Sequence, residues 1–263
     1  MTLKRLLRYA FREYGLSALF VTGLLCAWEV TARSLQIPDY VLPLPSQIFT
    51  RLFTSLPTLL THARATLLEA LGGFLLGASS GAACAVAMAR SRTVERMLYP
   101  LVISSQTFPK EALAPIFLTW FGYGIAPKIV IAGLISFFPV VINTTRGLLA
   151  VDPLILELMR SLSANQRQVF VKVRLPNAIP YLFAALKMCV TLSVIGAVVG
   201  EFVGASEGLG HLVRLANSEL ATDLMFAALV MLGAMGTSLF LIVEGLEKLL
   251  LRRWGGPPEP MRR

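Results

Sequence analysis

Lys110 and Glu111 lie side by side between Pro109 and Pro115, within a stretch that is otherwise largely apolar. An ionisable side chain at membrane depth is costly and marks a candidate pathway for a charged solute. An ion pair between the two neighbours, or a lysine reaching toward the surface, would account for the pair equally well. Asn143 follows Pro139 by about one helical turn, so its amide could serve a solute or the backbone that the proline frees. Glu201, near the end of another apolar run, suits a gate, a subunit contact or a solvated helix end. Trp120 fits an interfacial anchor and is also a candidate for stacking on a solute. Catalytic chemistry has no foothold. His62 and His211 are isolated and give no metal pattern, and no nucleophile–base arrangement stands out. Gly208-x-Gly210 is too short for a nucleotide loop, and no Gly-x-x-x-x-Gly-Lys-Ser/Thr run occurs.

A second group of residues sits in the polar segment 152–176. Asp152-Pro153 is a good helix start, because aspartate accepts from free N–H groups and proline suits the first turn. Leu154, Leu158 and Leu162 follow at helical spacing, with Ile155 and Met159 beside them. The first helix is expected to end at Ser163. A second short helix is expected over 166–173, with Val169, Phe170 and Val173 on one face and Leu175-Pro176 as its stop. Two short helices joined by a turn could dock a partner or lie on a membrane surface as a connector. A DNA-binding reading is poor, because apolar runs on both sides hold the pair against a bilayer.

Those runs are what must position both groups. The chain of 263 residues is 56% hydrophobic and 15% charged, against about 25% charged for soluble domains. Six stretches approach the length of about 20 residues that a bilayer crossing requires: 16–32, 66–89, 98–121, 128–149, 181–203 and 224–250. The third is broken by Pro100, Pro109 and Pro115. Neither of its halves can cross alone, and broken backbone at membrane depth lines cavities or is shielded by protein. The first run follows basic residues and is read as a retained anchor rather than a cleaved signal. The loop 33–63 carries four prolines, then a short interfacial helix over 47–56 with Ser46 as its N-cap. Gly73, Gly77 and Gly81 stand four apart in the second run, a spacing that permits close helix packing within one subunit or between two. Cys26, Cys84 and Cys189 all fall inside runs and read as small packing residues.

The formal charge of +9 is unevenly placed. One side receives Lys4, Arg5, Arg8 and Arg12, then Arg90, Arg92 and Arg96. It also receives Arg146, Arg160, Arg167, Lys172 and Arg174, and finally Lys248, Arg252, Arg253, Arg262 and Arg263: seventeen in all. The other side receives five, Arg33, Arg51, Arg64, Lys128 and Arg214, while Lys110 and Lys187 lie within runs. Basic residues favour the cytoplasmic side, so both termini are expected inside, with no nucleic-acid partner.

Glu157, Ser163 and Val173-x-Leu175-Pro176 together resemble the EAA loop of ABC importer permeases, whose pattern is Glu-Ala-Ala, three residues, Gly, nine residues, Ile-x-Leu-Pro. The spacing matches throughout. Leu158-Met159 replace the alanines, Ser163 the glycine and Val173 the isoleucine, so the shape of the turn at Ser163 is open. Leu42-Pro43-Leu44-Pro45-Ser46, the run from Pro109 to Pro115, Trp120-Phe121-Gly122, the run from Phe137 to Thr144, and Glu201 with Gly208-Leu209-Gly210 extend the resemblance along nearly the whole chain. They are similar to the branch of permeases for nitrate, sulfonates, taurine and bicarbonate.

The resemblance implies an all-α polytopic protein with six transmembrane helices in the type I importer fold. It implies one permease domain over 1–263 with a coupling loop at about 150–180, in a bacterial inner membrane. The implied partners are a second permease copy, cytoplasmic ATPase subunits that hold ATP and Mg, and a periplasmic or lipid-anchored binding protein. The chain itself would hold no cofactor. Glu157, Ser163, Ala164, Gln166, Phe170, Val173, Leu175 and Pro176 are then the expected coupling residues. Lys110, Trp120, Asn143 and Glu201 are the expected pathway residues. The competing readings are a self-contained channel or ion-coupled carrier, and a membrane-embedded enzyme, for which no constellation is found.

Overall fold

A computed structural model describes the backbone of residues 3–253 and the side chains of 15–251. The side chains of Lys4, Arg5, Arg8, Arg12, Arg252 and Arg253 lie outside that range, as does the tail 255–263 with Arg262 and Arg263. The described elements are all helical: α1 (Leu3–Ser34), α2 (Pro45–Thr54), α3 (Leu56–Arg90), α4 (Arg92–Ser104), α5 (Ala114–Phe121), α6 (Ile125–Leu149), α7 (Pro153–Ser161), α8 (Gln166–Val169), α9 (Leu175–Gly204), α10 (Leu209–Ser218) and α11 (Thr222–Arg253). Among the described residues, five helical stretches are long and apolar enough to cross a membrane: 15–34, 56–90, 125–149, 166–204 and 222–251.

The third expected crossing is broken, as its prolines predict. α4 contains Pro100 and is followed by 3-10 turns at Ser105–Thr107 and Lys110–Leu113 before α5 begins with Pro115 in its first turn. Two expectations fail at helix ends. Residues 57–63, assigned to the outer connection, are helical in α3; Pro57 stands in the first turn, where its missing N–H costs nothing. Ser46 is not the N-cap of α2. Leu44 holds that position, and its backbone N–H donates to Gln47 Oε1 at 2.8 Å. Ser46 instead uses its N–H and hydroxyl on Glu29, at 3.1 and 2.8 Å.

The chain divides into two compact units. One holds residues 1–60 and 212–230. In it Trp28 packs on Phe226, Arg51 lies 3.4 Å from Asp223, and Thr222 Oγ1 donates to the Asp39 carbonyl.

The other unit holds residues 61–211 and 231–263 and carries every expected coupling and pathway residue. α6 is its centre and the most buried of the described spans. The glycine stripe of α3 makes that possible. A Cβ on Gly73 would fall on Ala132, and one on Gly77 would lie 2.8 Å from the Gly133 carbonyl oxygen. These glycines therefore serve packing within the subunit, which decides between the two roles open from spacing. Ala70, Phe183, Val190, Val194, Leu239 and Val243 join α3, α9 and α11. Met88, Val102, Phe138 and Val141 join α3, α4 and α6. Buried Ser136 Oγ donates to the Cys189 carbonyl at 3.1 Å, linking α6 to α9.

Candidate coupling segment and pathway residues

The segment between α6 and α9 begins as its sequence predicts. Asp152 Oδ1 accepts the Leu154 N–H at 2.9 Å, and Pro153 opens α7. Leu154, Leu158 and Leu162 are 71, 58 and 67% exposed, and Ile155 and Glu157 are also exposed. An exposed apolar face of this kind suits contact with another protein or with a membrane surface; burying each leucine would contribute about 1.5–3 kcal/mol.

The turn after α7 settles the shape left open by Ser163. Ser163 adopts φ +53°, the left-handed conformation usual for glycine. Its N–H donates to the Arg160 carbonyl at 2.9 Å and the Ala164 N–H to the Met159 carbonyl at 3.0 Å, which together make a Schellman turn. Serine keeps the turn at a steric cost of about 1–2 kcal/mol.

α8 is held by two residues absent from the expected set. Asn165 Oδ1 accepts the Gln168 N–H, and Gln168 Oε1 accepts the Asn165 N–H, both at 2.8 Å. This reciprocal cap was visible in the sequence as Asn-x-x-Gln. The expected stop at Leu175-Pro176 is a correction: α8 runs through a π-turn at Phe170–Arg174 directly into α9, making one helical stretch over 166–204. Pro176 lacks an N–H and would collide with a carbonyl one turn back in a regular helix. The wider π-turn removes that conflict, with the Leu175 N–H donating to the Phe170 carbonyl.

The base of the segment is anchored. Phe170 is half-buried and packs with Ala85, Leu148 and Ala178, and the Arg90 guanidinium lies 5.8 Å from its ring centre. Arg174 donates to the Ala89 carbonyl at 3.1 Å. Asn177 Nδ2 reaches the carbonyls of Gly147 and Ala150 at 2.8 and 3.2 Å. Glu157, Ser163, Gln166 and Leu175 are exposed, whereas Ala164, Phe170, Val173 and Pro176 are partly buried.

The four pathway candidates do not form one cluster. Among the described residues, no hydrogen bond or ion pair joins any two of them. Lys110 sits in the break between α4 and α5 with its ammonium 4.3 Å from the centre of the Phe138 ring. That cation–π contact, rather than a pair with Glu111, is its observed partner. Asn143 Nδ2 donates to the Pro139 carbonyl at 2.9 Å within α6. Trp120 is 71% exposed and meets Phe117 edge-on.

Glu201 is fully buried, which excludes a solvated helix end. Its Oε1 accepts from the Thr66 hydroxyl at 2.6 Å and its Oε2 from the Gly210 N–H at 2.5 Å. The Leu209 N–H donates to Thr66 Oγ1 at 2.7 Å, and the Gly208 N–H to His62 Nδ1 at 3.1 Å. Lys128, counted with the outer basic residues at the start of the run 128–149, is buried in the first turn of α6, its ammonium 2.6 Å from Glu69 Oε1.

Residues 77–256 match the family described as the binding-protein-dependent transport system inner membrane component. The chain belongs to that family. A permease of Halalkalibacterium halodurans named for formylaminopyrimidine transport is 38% identical over 89% of this chain and 93% of its own length. A permease of Bacillus subtilis named for aliphatic sulfonates transport is 31% identical over 92% of this chain and 89% of its own. An inward-facing structure of the MetNI methionine ABC transporter superposes with a TM-score of 0.63 at 20% identity, covering 74% of this chain and 97% of that one. This permease is thus a multi-pass membrane component of an ABC importer with the type I permease fold, and a transport component rather than a catalytic enzyme.

Proposed function

We propose that this permease forms half of a homodimeric translocation pathway, with its termini in the cytoplasm and α7–α8 as the docking element for an ATPase subunit. ATP and Mg belong to that partner, and a binding protein delivers solute from the opposite side. The observation that carries this reading is the exposed leucine face of α7, presented on a capped, Schellman-closed turn whose base is fixed by Phe170, Arg174 and Asn177. Glu157 and Leu158 lie on the free part of that element, whereas Phe170 packs inward and supports it. The seventeen-to-five basic asymmetry supports the orientation.

The solute is a small anion of the sulfonate, nitrate or bicarbonate kind, on the strength of Lys110 at the break of the third crossing and of the relative named for aliphatic sulfonates. A second reading, a formylaminopyrimidine-type heterocycle, has its support in the relative that is 38% identical. Calorimetry of the cognate binding protein against both classes separates them.

The coupling reading is tested by Glu157→Lys in the whole transporter. The expected outcome is normal permease in the membrane, no co-purifying ATPase and no uptake. Retained ATPase with normal uptake would make the segment a connector. Reporter fusions at Ser55, Ser91, Asn165 and Ser218 should read outside, inside, inside and outside.

A further inference from the structure

Three titratable side chains inside the bundle belong neither to the coupling segment nor to the expected pathway as a group. Glu69 of α3, Lys128 of α6 and Glu201 of α9 are 2, 6 and 0% exposed. Two carboxyls and one ammonium carry a net negative charge if all are ionised, and an unbalanced charge inside a span is costly. The donors around the two carboxyls are unequal. Glu201 accepts from Thr66 and from Gly210, one donor on each oxygen, as a carboxylate does. Thr66 Oγ1 already accepts the Leu209 N–H, so its single hydrogen is free for Glu201, 2.6 Å away, in preference to the His62 carbonyl at 3.3 Å. Glu69 accepts from Lys128 on Oε1, while its Oε2 is buried without a hydrogen-bond partner. Thr66 and Glu69 stand three apart on one face of α3, and Thr66 bonds Glu201, while Gly200, the residue before Glu201, lies against Lys128; the two carboxyls are therefore brought to the same side of the lysine.

We infer that Glu69 is a proton-binding site: its Oε2 carries a hydrogen directed at the Glu201 carboxylate, so that Lys128, Glu69 and Glu201 form one charge-neutral unit. The proton explains the unpartnered oxygen and removes repulsion between neighbouring carboxylates. Lys128 then balances Glu201 through the neutral Glu69, which accepts on one oxygen and donates from the other. Two histidines lie beside the Gly208–Gly210 turn: His62, which accepts the Gly208 N–H through Nδ1, and His211, whose ring stacks 6.1 Å from it. The unit ties α3, α6 and α9 to the Gly208–Gly210 turn. Gly200 lets Lys128 lie close, since a Cβ there would be 3.0 Å from Lys128 Cγ.

The proposal makes Glu69→Gln a nearly silent change, because the amide accepts from Lys128 and donates to Glu201 as the acid does. The full transporter in membranes should keep wild-type permease level, melting temperature and uptake. Lys128→Met leaves Glu201 without a counter-charge and should lower the permease level at least about tenfold. Glu69→Gln should not restore it, because Glu69 holds no charge to remove. Infrared spectra of the wild-type transporter should contain a protonated-carboxyl stretch that Glu69→Gln removes. A loss of stability in Glu69→Gln comparable to that in Lys128→Met, rescue of Lys128→Met by Glu69→Gln, or a carboxyl band absent in wild type or unchanged in Glu69→Gln would each overturn the proposal. None of these readouts requires the ATPase docking reading to hold.

Discussion

The α7–α8 segment and the Glu69–Lys128–Glu201 unit solve opposite problems. The first leaves leucines exposed and satisfies its polar groups locally, through Asp152, the Schellman turn and the Asn165–Gln168 cap. The second buries its polar groups and satisfies them with partners 59 and 135 residues away in sequence. A segment whose hydrogen bonds are local keeps its shape when its surface is free, which suits an element that docks. A buried polar unit has no water to fall back on, so each missing partner costs the full desolvation of the group left behind. Damage to the segment should therefore appear in transport, and damage to the buried unit in the folded permease itself.

The largest expected effect tests the buried side. Gly208 has φ +116°, and a Cβ there would overlap the Glu201 carboxylate. Gly208→Val should cost more than about 4 kcal/mol and leave little folded permease in the membrane, measured as detergent-extracted monodisperse protein. Leu158→Asp strikes the exposed side. It should abolish solute uptake in vesicles while the permease's own melting temperature moves by less than about 0.5 kcal/mol equivalent. A large fall in that temperature would mean that α7 packs on its own subunit. Thr66→Val is intermediate: it removes the donor to Glu201 and the acceptor for Leu209, for about 2–3 kcal/mol, read by thermal unfolding in nanodiscs. The smallest effects lie in the turn. Ser163→Gly should stabilise it by about 1 kcal/mol, by relieving the left-handed serine. Asn165→Ala should loosen α8 by about 1 kcal/mol. Hydrogen exchange of amides 163–168 should slow in the first variant and quicken in the second.

Much of this architecture was legible along the chain. Apolar length marked the crossings, and three prolines marked the broken one. Asp152-Pro153 placed the start of α7 to the residue, and the leucine spacing its course, because capping and helical periodicity act over three or four positions. The stop expected at Leu175-Pro176 was misread because a π-turn is decided by how a proline is accommodated rather than by its presence. Lys128 was misplaced for a related reason: a basic residue at the outer end of an apolar run predicts exposure, and nothing near it in sequence discloses that Glu69 lies opposite.

Local sequence alone determined that the chain crosses a membrane, where α7 begins, and that a polar segment with a leucine face lies between two crossings. These follow from short-range rules of hydrophobicity and capping, which need no knowledge of the rest of the chain. Only the tertiary structure decided that Lys110 rests on Phe138, that the Gly73–Gly77–Gly81 stripe faces α6, and that Glu69, Lys128 and Glu201 meet. Each of these depends on which helix faces which, and a burial cost is assigned to a charged side chain only once that packing has chosen its neighbours.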